Sequence, residues 1–190
     1  TPFQEAVHNL KQNRAAVAGL IIIALFLLIG IFAPVIAPYD PFAQTISDRK
    51  LPPFSSGHIL GTDELGRDML SRLIYGARIS MVIGVVSVGI AMAFGLLVGV
   101  TAGYIGGVYD KLVMRLIDIM LAFPYILLTI VIVAVLGPNL LNAMIAIGIS
   151  QVPRYARLVR ASVMAEKEND YVTAERSLGA SALSLMFISI

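Results

Sequence analysis

Three stretches of this chain carry no charged side chain: residues 15–39, 79–109 and 119–153. Each exceeds the ~20 residues that a helix needs to cross the hydrocarbon core of a bilayer. The composition points the same way, with 58% hydrophobic residues, 14% charged residues and a mean hydropathy of +0.86. Soluble domains are roughly half apolar and a quarter charged, so a water-soluble fold is excluded and the chain reads as an all-α, polytopic membrane protein. A net charge of +2 and a pI near 9.0 would suggest nucleic acid on a soluble protein. Here the basic residues cluster beside the spans, where they fix orientation, and no nucleic-acid partner is expected. The chain has no cysteine, which excludes disulfides, thiolate metal sites and a cysteine nucleophile.

The pattern predicts two regions. The first, residues 1–78, holds a polar N-terminal segment, a first span over about 17–36 closed by Pro34 and Pro38, and an extramembrane loop rich in Pro and Gly. Lys11 and Arg14 precede this first apolar run as in a signal peptide. The run is too long for a signal's apolar region and lacks a clean cleavage site, so it reads as an uncleaved span. The second region, residues 79–190, holds spans over about 79–102, 112–136 and 140–158, the third broken off by Gly137-Pro138-Asn139, and then a polar segment over 166–190. Gly95, Gly99 and Gly103 recur every fourth residue on one face of the second span, where a neighbouring helix backbone can approach closely. Four spans place Lys11, Arg14, Lys111, Arg115, Arg154, Arg157, Arg160, Lys167 and Arg176, nine in all, on one side. The other side holds five: Arg49, Lys50, Arg67, Arg72 and Arg78. The richer side, with the N-terminus, is expected to be cytoplasmic.

Few residues offer chemistry. Asp118 lies three residues after Arg115, so the two can pair on one helical face and fix the depth of the third span; the competing reading is an intramembrane acid in a proton relay. Asp63, Glu64 and Asp68 stand close together near a glycine, but they lack the alternating ligands and closing Glu of a calcium loop, and Arg67 sits among them. His8 and His58 have no neighbours that resemble ligand partners, so no metal site is predicted. No phosphate-cradling loop ending in Lys-Ser or Lys-Thr occurs, because Gly61-Thr-Asp-Glu-Leu-Gly66 is followed by Arg67-Asp68. If ATP is used, another chain binds it, and no enzymatic constellation is evident. After the fourth span, Asp170 is placed to cap a helix over 171–178, Gly179 to end it, and Ser181 to cap a second helix from Ala182. This helix–glycine–helix elbow is either a docking element for a partner or an ordinary pair of loop helices.

Two motifs carry a family resemblance. The stretch from His58 to Ser80, with Gly61-Thr62-Asp63 and Gly66-Arg67-Asp68, resembles the C-type inner-membrane permeases of binding-protein-dependent ABC importers of the dipeptide, oligopeptide and nickel group. Tyr171-Val-Thr-Ala-Glu-Arg-Ser-Leu-Gly-Ala-Ser181 is similar to that family's cytoplasmic loop that docks on the ATPase. The resemblance implies a type I importer permease fold with six spans, of which about four are expected here. It implies a coupling role for Tyr171, Thr173, Ala174, Glu175, Gly179 and Ser181; Asp110, Arg115, Asp118 and Pro124 also fall in the third-helix pattern of such permeases, which implies a structural role for Asp118. It further implies a second related permease, two cytoplasmic ATPase subunits that bind ATP and Mg, and an extracytoplasmic substrate-binding protein, all at the inner membrane. Peptides are the expected cargo, with glutathione and nickel as alternatives. An ion-coupled secondary transporter using Asp118 is the alternative of another class. Two departures stand out. Thr173-Ala174-Glu175 replaces the family's Glu-Ala-Ala, and Ala182, Leu183, Ser184, Ile188 and Ser189 follow Gly179 without charge or the expected Ile-Leu-Pro. The reading is of a C-terminally incomplete permease.

Overall fold

The computed structural model describes residues 12–55 and 57–186; His8, Lys11, Ile188 and Ser189 lie outside the described residues. The described residues form helices and two isolated β-bridges, without a strand. Helix α1 spans Arg14–Ile31 and opens on Asn13, whose side chain accepts hydrogen bonds from the Ala15 and Ala16 amides. It is apolar around its whole circumference, with Ile22, Phe26 and Ile31 exposed and Gly30 buried, as suits a helix solvated by lipid. Pro34 has no N–H to donate, so α1 stops at Ile31 and a single-turn helix, α2 (Ala33–Ile36), follows.

Helix α3, Met69–Ile105, begins ten residues before the expected start of the second span. Asp68 explains the early start: its carboxylate accepts from the Ser71 amide at 2.7 Å and satisfies one of the open N–H groups of the first turn. The chain then turns at Gly106 and Gly107, both with positive φ, into α4 (Gly107–Ala122). The expected single helix over 112–136 is corrected here, because α4 ends at Ala122 and α5 (Tyr125–Leu136) leaves at 94° to it. Pro124 is the cause: it disfavours a helical conformation at the residue before it, and Phe123 is extended with ψ 137°.

Helix α6 runs over Leu140–Glu166, starts on the Asn139 side chain and continues through a buried Pro153. Helices α7 (Asp170–Ser177) and α8 (Ala182–Ser184) complete the described chain. Helices α1 and α3 are each long and apolar enough to cross a membrane, and the bent pair α4–α5 makes a third span if it counts as one. Helix α6 falls short of the fourth expected span by this measure. Its uncharged part, residues 140–153, covers only about 21 Å against a core of about 30 Å before Arg154 begins the basic half.

The molecule divides into two compact units, Thr1–Ile83 and Gly84–Ile190, with the boundary inside α3. In the first unit the loop between α2 and α3 is folded around its own charges. Asp63 accepts from the Leu65 and Arg67 amides at 2.8 and 3.0 Å and pairs with both Arg67 and Arg72. Desolvation pushes its carboxyl up, but those amides and the Arg67 guanidinium outweigh it and hold the group down at about 2. Lys50 pairs with Glu64, and Asp68 meets His58 Nδ1 at 2.9 Å. Asp63, Glu64 and Asp68 are thus each committed to a cation or to backbone. Gly61 and Gly66, at φ +74°, let the loop fold back on itself, since a Cβ there would collide with the Leu51 and Thr45 carbonyls.

Candidate functional site

In the second unit α3 and α6 lie in parallel, and glycine sets how closely they approach. A Cβ added at Gly95 would lie 2.5 Å from Tyr155 Cβ; at Gly99, 2.7 Å from both Ala156 O and Val159 Cβ; at Gly103, 3.0 Å from Arg160 O and Val163 Cβ. The pairing runs in step along both helices, and Gly148 of α6 continues it upward, where a Cβ would sit 2.8 Å from Ile90 Cβ. There the Ser87 hydroxyl donates to Met144 O at 3.0 Å, a bond that holds two helices together in the absence of water. Small residues therefore bring two helix backbones into direct contact along a seam of about four turns.

Along the glycine half of the seam α6 carries an arginine every third residue, and two of them reach across to α4. Arg160 embraces both carboxylate oxygens of Asp110, with Nη2 at 2.6 Å from Oδ2. Arg157 pairs with Asp118 at 2.7 Å. The expected pair Arg115–Asp118 is corrected: Arg115 forms no ion pair among the described residues, and Asp118 is neutralised from the neighbouring helix instead. The cause is packing, since α6 lies on α4 and delivers the arginine from outside the Asp118 helix. The Arg157–Asp118 side chains are 58% and 53% exposed, so the helices of this chain do not enclose the pair.

Past Glu166 the chain forms the elbow. Helix α7 starts after Asn169, with Asp170 as its first residue rather than its cap, so the carboxylate adds charge at the positive helix end. It ends in a Schellman motif: the Ala180 amide donates to Glu175 O and the Gly179 amide to Arg176 O, each at 3.1 Å. That motif needs a left-handed residue, and Gly179 supplies it at φ +91°. The Ser181 hydroxyl accepts from the Ser184 amide and opens α8.

A short, polar elbow is expected to have little core of its own, and here the structure differs. Val172 and Leu185 are each about 1% exposed, and Met186 packs with Val100 and Val163 against Tyr104 and Val159. Lys167 donates to Tyr104 O at 3.2 Å, where the last carbonyls of α3 gather negative potential, and the Arg176 guanidinium lies over the Tyr104 ring. The Tyr171 hydroxyl donates to Glu166 at 2.6 Å. One side of the elbow is thus clamped to the ends of α3 and α6. The other side is open: Leu178 is 88% exposed, Leu183 stands out beside it, and Thr173, Ala174, Gly179 and Ser181 are exposed with them, while Glu175 is half-buried.

Residues 95–189, which hold the seam, the arginine ladder and the elbow, match the model of the binding-protein-dependent transport system inner membrane component family. The chain belongs to that family. It also matches, over residues 1–53, the N-terminal membrane domain of oligopeptide transport permease C. It is 51% identical over its whole length to a dipeptide transport system permease protein of Haemophilus influenzae. It is 47% identical, again over its whole length, to a di/tripeptide permease of Pseudomonas aeruginosa and to the dipeptide permease of Escherichia coli K12. A glutathione transport system permease of Pectobacterium atrosepticum is 37% identical over 98% of the chain. The chain spans 64–66% of the length of the dipeptide relatives it matches. The segment of the chain from Gly61 to Asp68 lies outside both family matches, and its residues form the loop that caps α3.

Proposed function

We propose that this permease forms part of the substrate path of an ATP-driven peptide importer of the inner membrane, and that its elbow receives the motion of an ATPase subunit. The observation that carries the reading is the two-sided elbow. Lys167, Arg176 and Met186 bind it to the membrane helices, while Leu178 and Leu183 stand exposed with nothing of this chain to cover them among the described residues. An exposed leucine pair on a rigid mount is what a partner's apolar groove would take.

The proposed assembly contains a second related permease, two ATPase subunits that hold ATP and Mg, and an extracytoplasmic binding protein that delivers cargo. The N-terminus and the elbow then face the cytoplasm, in keeping with the basic side of the chain. ATP at the partners shifts the path between outward and inward access by favouring one arrangement of the elbows. Peptide is the favoured cargo, because the dipeptide relatives stand at 47–51% identity and the glutathione relative at 37%. Ion coupling through Asp118 is disfavoured, since its carboxylate already has Arg157 as a counter-ion.

The test is Gly179→Asp in a full-length protein co-expressed with the ATPase subunits. A Cβ at Gly179 meets nothing within 4 Å, but any side chain at φ +91° strains the turn, so Gly179→Asn, which carries the same strain without the charge, is the control and should keep association and uptake. The expected result for Gly179→Asp is normal membrane insertion, loss of ATPase co-purification and loss of peptide uptake. Unchanged association and uptake would refute the docking role.

A further inference from the structure

The loop between α2 and α3 exposes large apolar side chains, among them Phe42, Ile46 and Phe54, the last 84% exposed. Phe54 is also the more unusual in its backbone: it adopts φ +65°, a left-handed conformation that bulky residues rarely take. Its amide donates to the His58 and Ile59 carbonyls, both at 3.1 Å, and these bonds hold the turn that points the ring outward. A turn with no use for the ring would place glycine at this position.

The same turn is pinned to the ends of two membrane helices. The Tyr39 hydroxyl donates to Gly57 O at 3.4 Å, and its ring lies 4.7 Å from that of His58. The Tyr39 amide donates to the Ser71 hydroxyl at 3.0 Å. Tyr39 closes the first uncharged stretch of the chain, and Ser71 lies seven residues, roughly 10 Å along α3, before Arg78, where the second begins. Phe54 is therefore held close to the level at which both helices leave the hydrocarbon, the zone where aromatic side chains gather at membrane surfaces. Ile31, Val35 and Ile36, which lie between the body of α1 and this turn in the chain, are exposed as well.

We propose that the turn carrying Phe54, together with Phe42 and Ile46, is an interfacial anchor that beds into the lipid headgroup layer at this end of α1. The partner is the bilayer surface itself, and the strained turn at Phe54 is kept because it aims the ring into lipid. The protein contains no tryptophan, so Phe54→Trp and Phe42→Trp each create a single fluorescent reporter. Each variant of the full chain is reconstituted into vesicles of phosphatidylcholine and phosphatidylglycerol that carry spin-labelled lipids with the label shallow or deep. The expected result for both reporters is blue-shifted emission, strong quenching by the shallow label, weaker quenching by the deep one and poor quenching by aqueous iodide. Water-like emission with efficient iodide quenching and no response to either lipid label would overturn the proposal. So would shielding from iodide that develops only on adding the soluble binding protein, which would make the patch a protein-docking surface. If one variant fails to fold, the other alone decides between these results.

Discussion

Replacing Gly99 by alanine adds one methyl group in the middle of the glycine run of the seam between α3 and α6. The new carbon would lie 2.7 Å from the Ala156 carbonyl oxygen and from Val159 Cβ, and 3.0 Å from the Arg160 nitrogen. Ordinary contact starts near 3.4 Å, so the two helices must part locally by 3.4 − 2.7 = 0.7 Å. No rotamer change relieves this, because each opposing atom is backbone or Cβ. Overpacking of this kind costs about 1–3 kcal/mol, and alanine's better helix propensity returns about 1 kcal/mol, which leaves a net loss of up to about 2 kcal/mol. Gly84→Ala is the matched control on the same helix, since a Cβ there meets nothing within 4 Å, and it should be neutral or stabilising by up to about 1 kcal/mol. The assay is reversible unfolding in mixed micelles with increasing SDS, followed by circular dichroism. The midpoint should fall for Gly99→Ala and stay or rise for Gly84→Ala. Equal midpoints for the two variants would refute the claim that glycine sets the distance between these helices.

The two charge pairs between α4 and α6 should differ in worth, which double-mutant cycles in the same unfolding assay can measure. Arg160–Asp110, with side chains 26% and 14% exposed and two parallel hydrogen bonds, should show coupling of about 2 kcal/mol, whereas the exposed Arg157–Asp118 pair should show at most about 1 kcal/mol. In the loop, the Asp63 carboxyl is held at about 2, below its ordinary 3.8. A depressed carboxyl contributes stability that is fully present above its unfolded value and is lost as pH falls through the folded one. The Leu65 and Arg67 amides should accordingly lose hydrogen-exchange protection between about pH 4 and pH 2, after correction for intrinsic exchange rates. Asp63→Asn should remove on the order of 1–2 kcal/mol of that protection at neutral pH and abolish its pH dependence.

The three uncharged stretches announced the membrane helices because charge is so costly in lipid that a spanning helix must exclude it for about twenty residues, which the helices of soluble domains seldom do. The spacing of Gly95, Gly99 and Gly103 announced a close packing face for the same kind of reason: it is set by the period of one helix. What the sequence concealed was partnership at a distance. Asp118 has Arg115 on its own helix at a pairing distance, yet Arg157 takes it from 39 residues away, and nothing local to either residue favours that outcome. His58 and Asp68 are ten residues apart in a loop whose course depends on positive φ at Gly61 and Gly66. The break at Pro124 was open to a local argument from proline, but a proline inside an apolar run can also be absorbed, as Pro153 is in α6.

The elbow depends on both kinds of contact, the local turn and the distant partner. Its anchor consists of Lys167 and Arg176 against Tyr104 on one side of Gly179 and Met186 against Val100 and Val163 on the other, so both arms are fixed to the same body. Met186 touches Val100 and Val163, and Val163 is also the residue that confronts Gly103 in the seam. Packed side chains do not deform gradually, so a push on Leu178 or Leu183 has no soft joint in which to dissipate before it reaches the end of α3. The departures of this chain from the usual Glu-Ala-Ala pattern fall at Thr173, which is exposed, and Glu175, which is half-buried; neither belongs to that anchor. The changed residues therefore leave the mount intact and alter the surface offered to a partner. On this reading they specify which ATPase docks, while the mechanics of coupling rest on residues the departures do not touch.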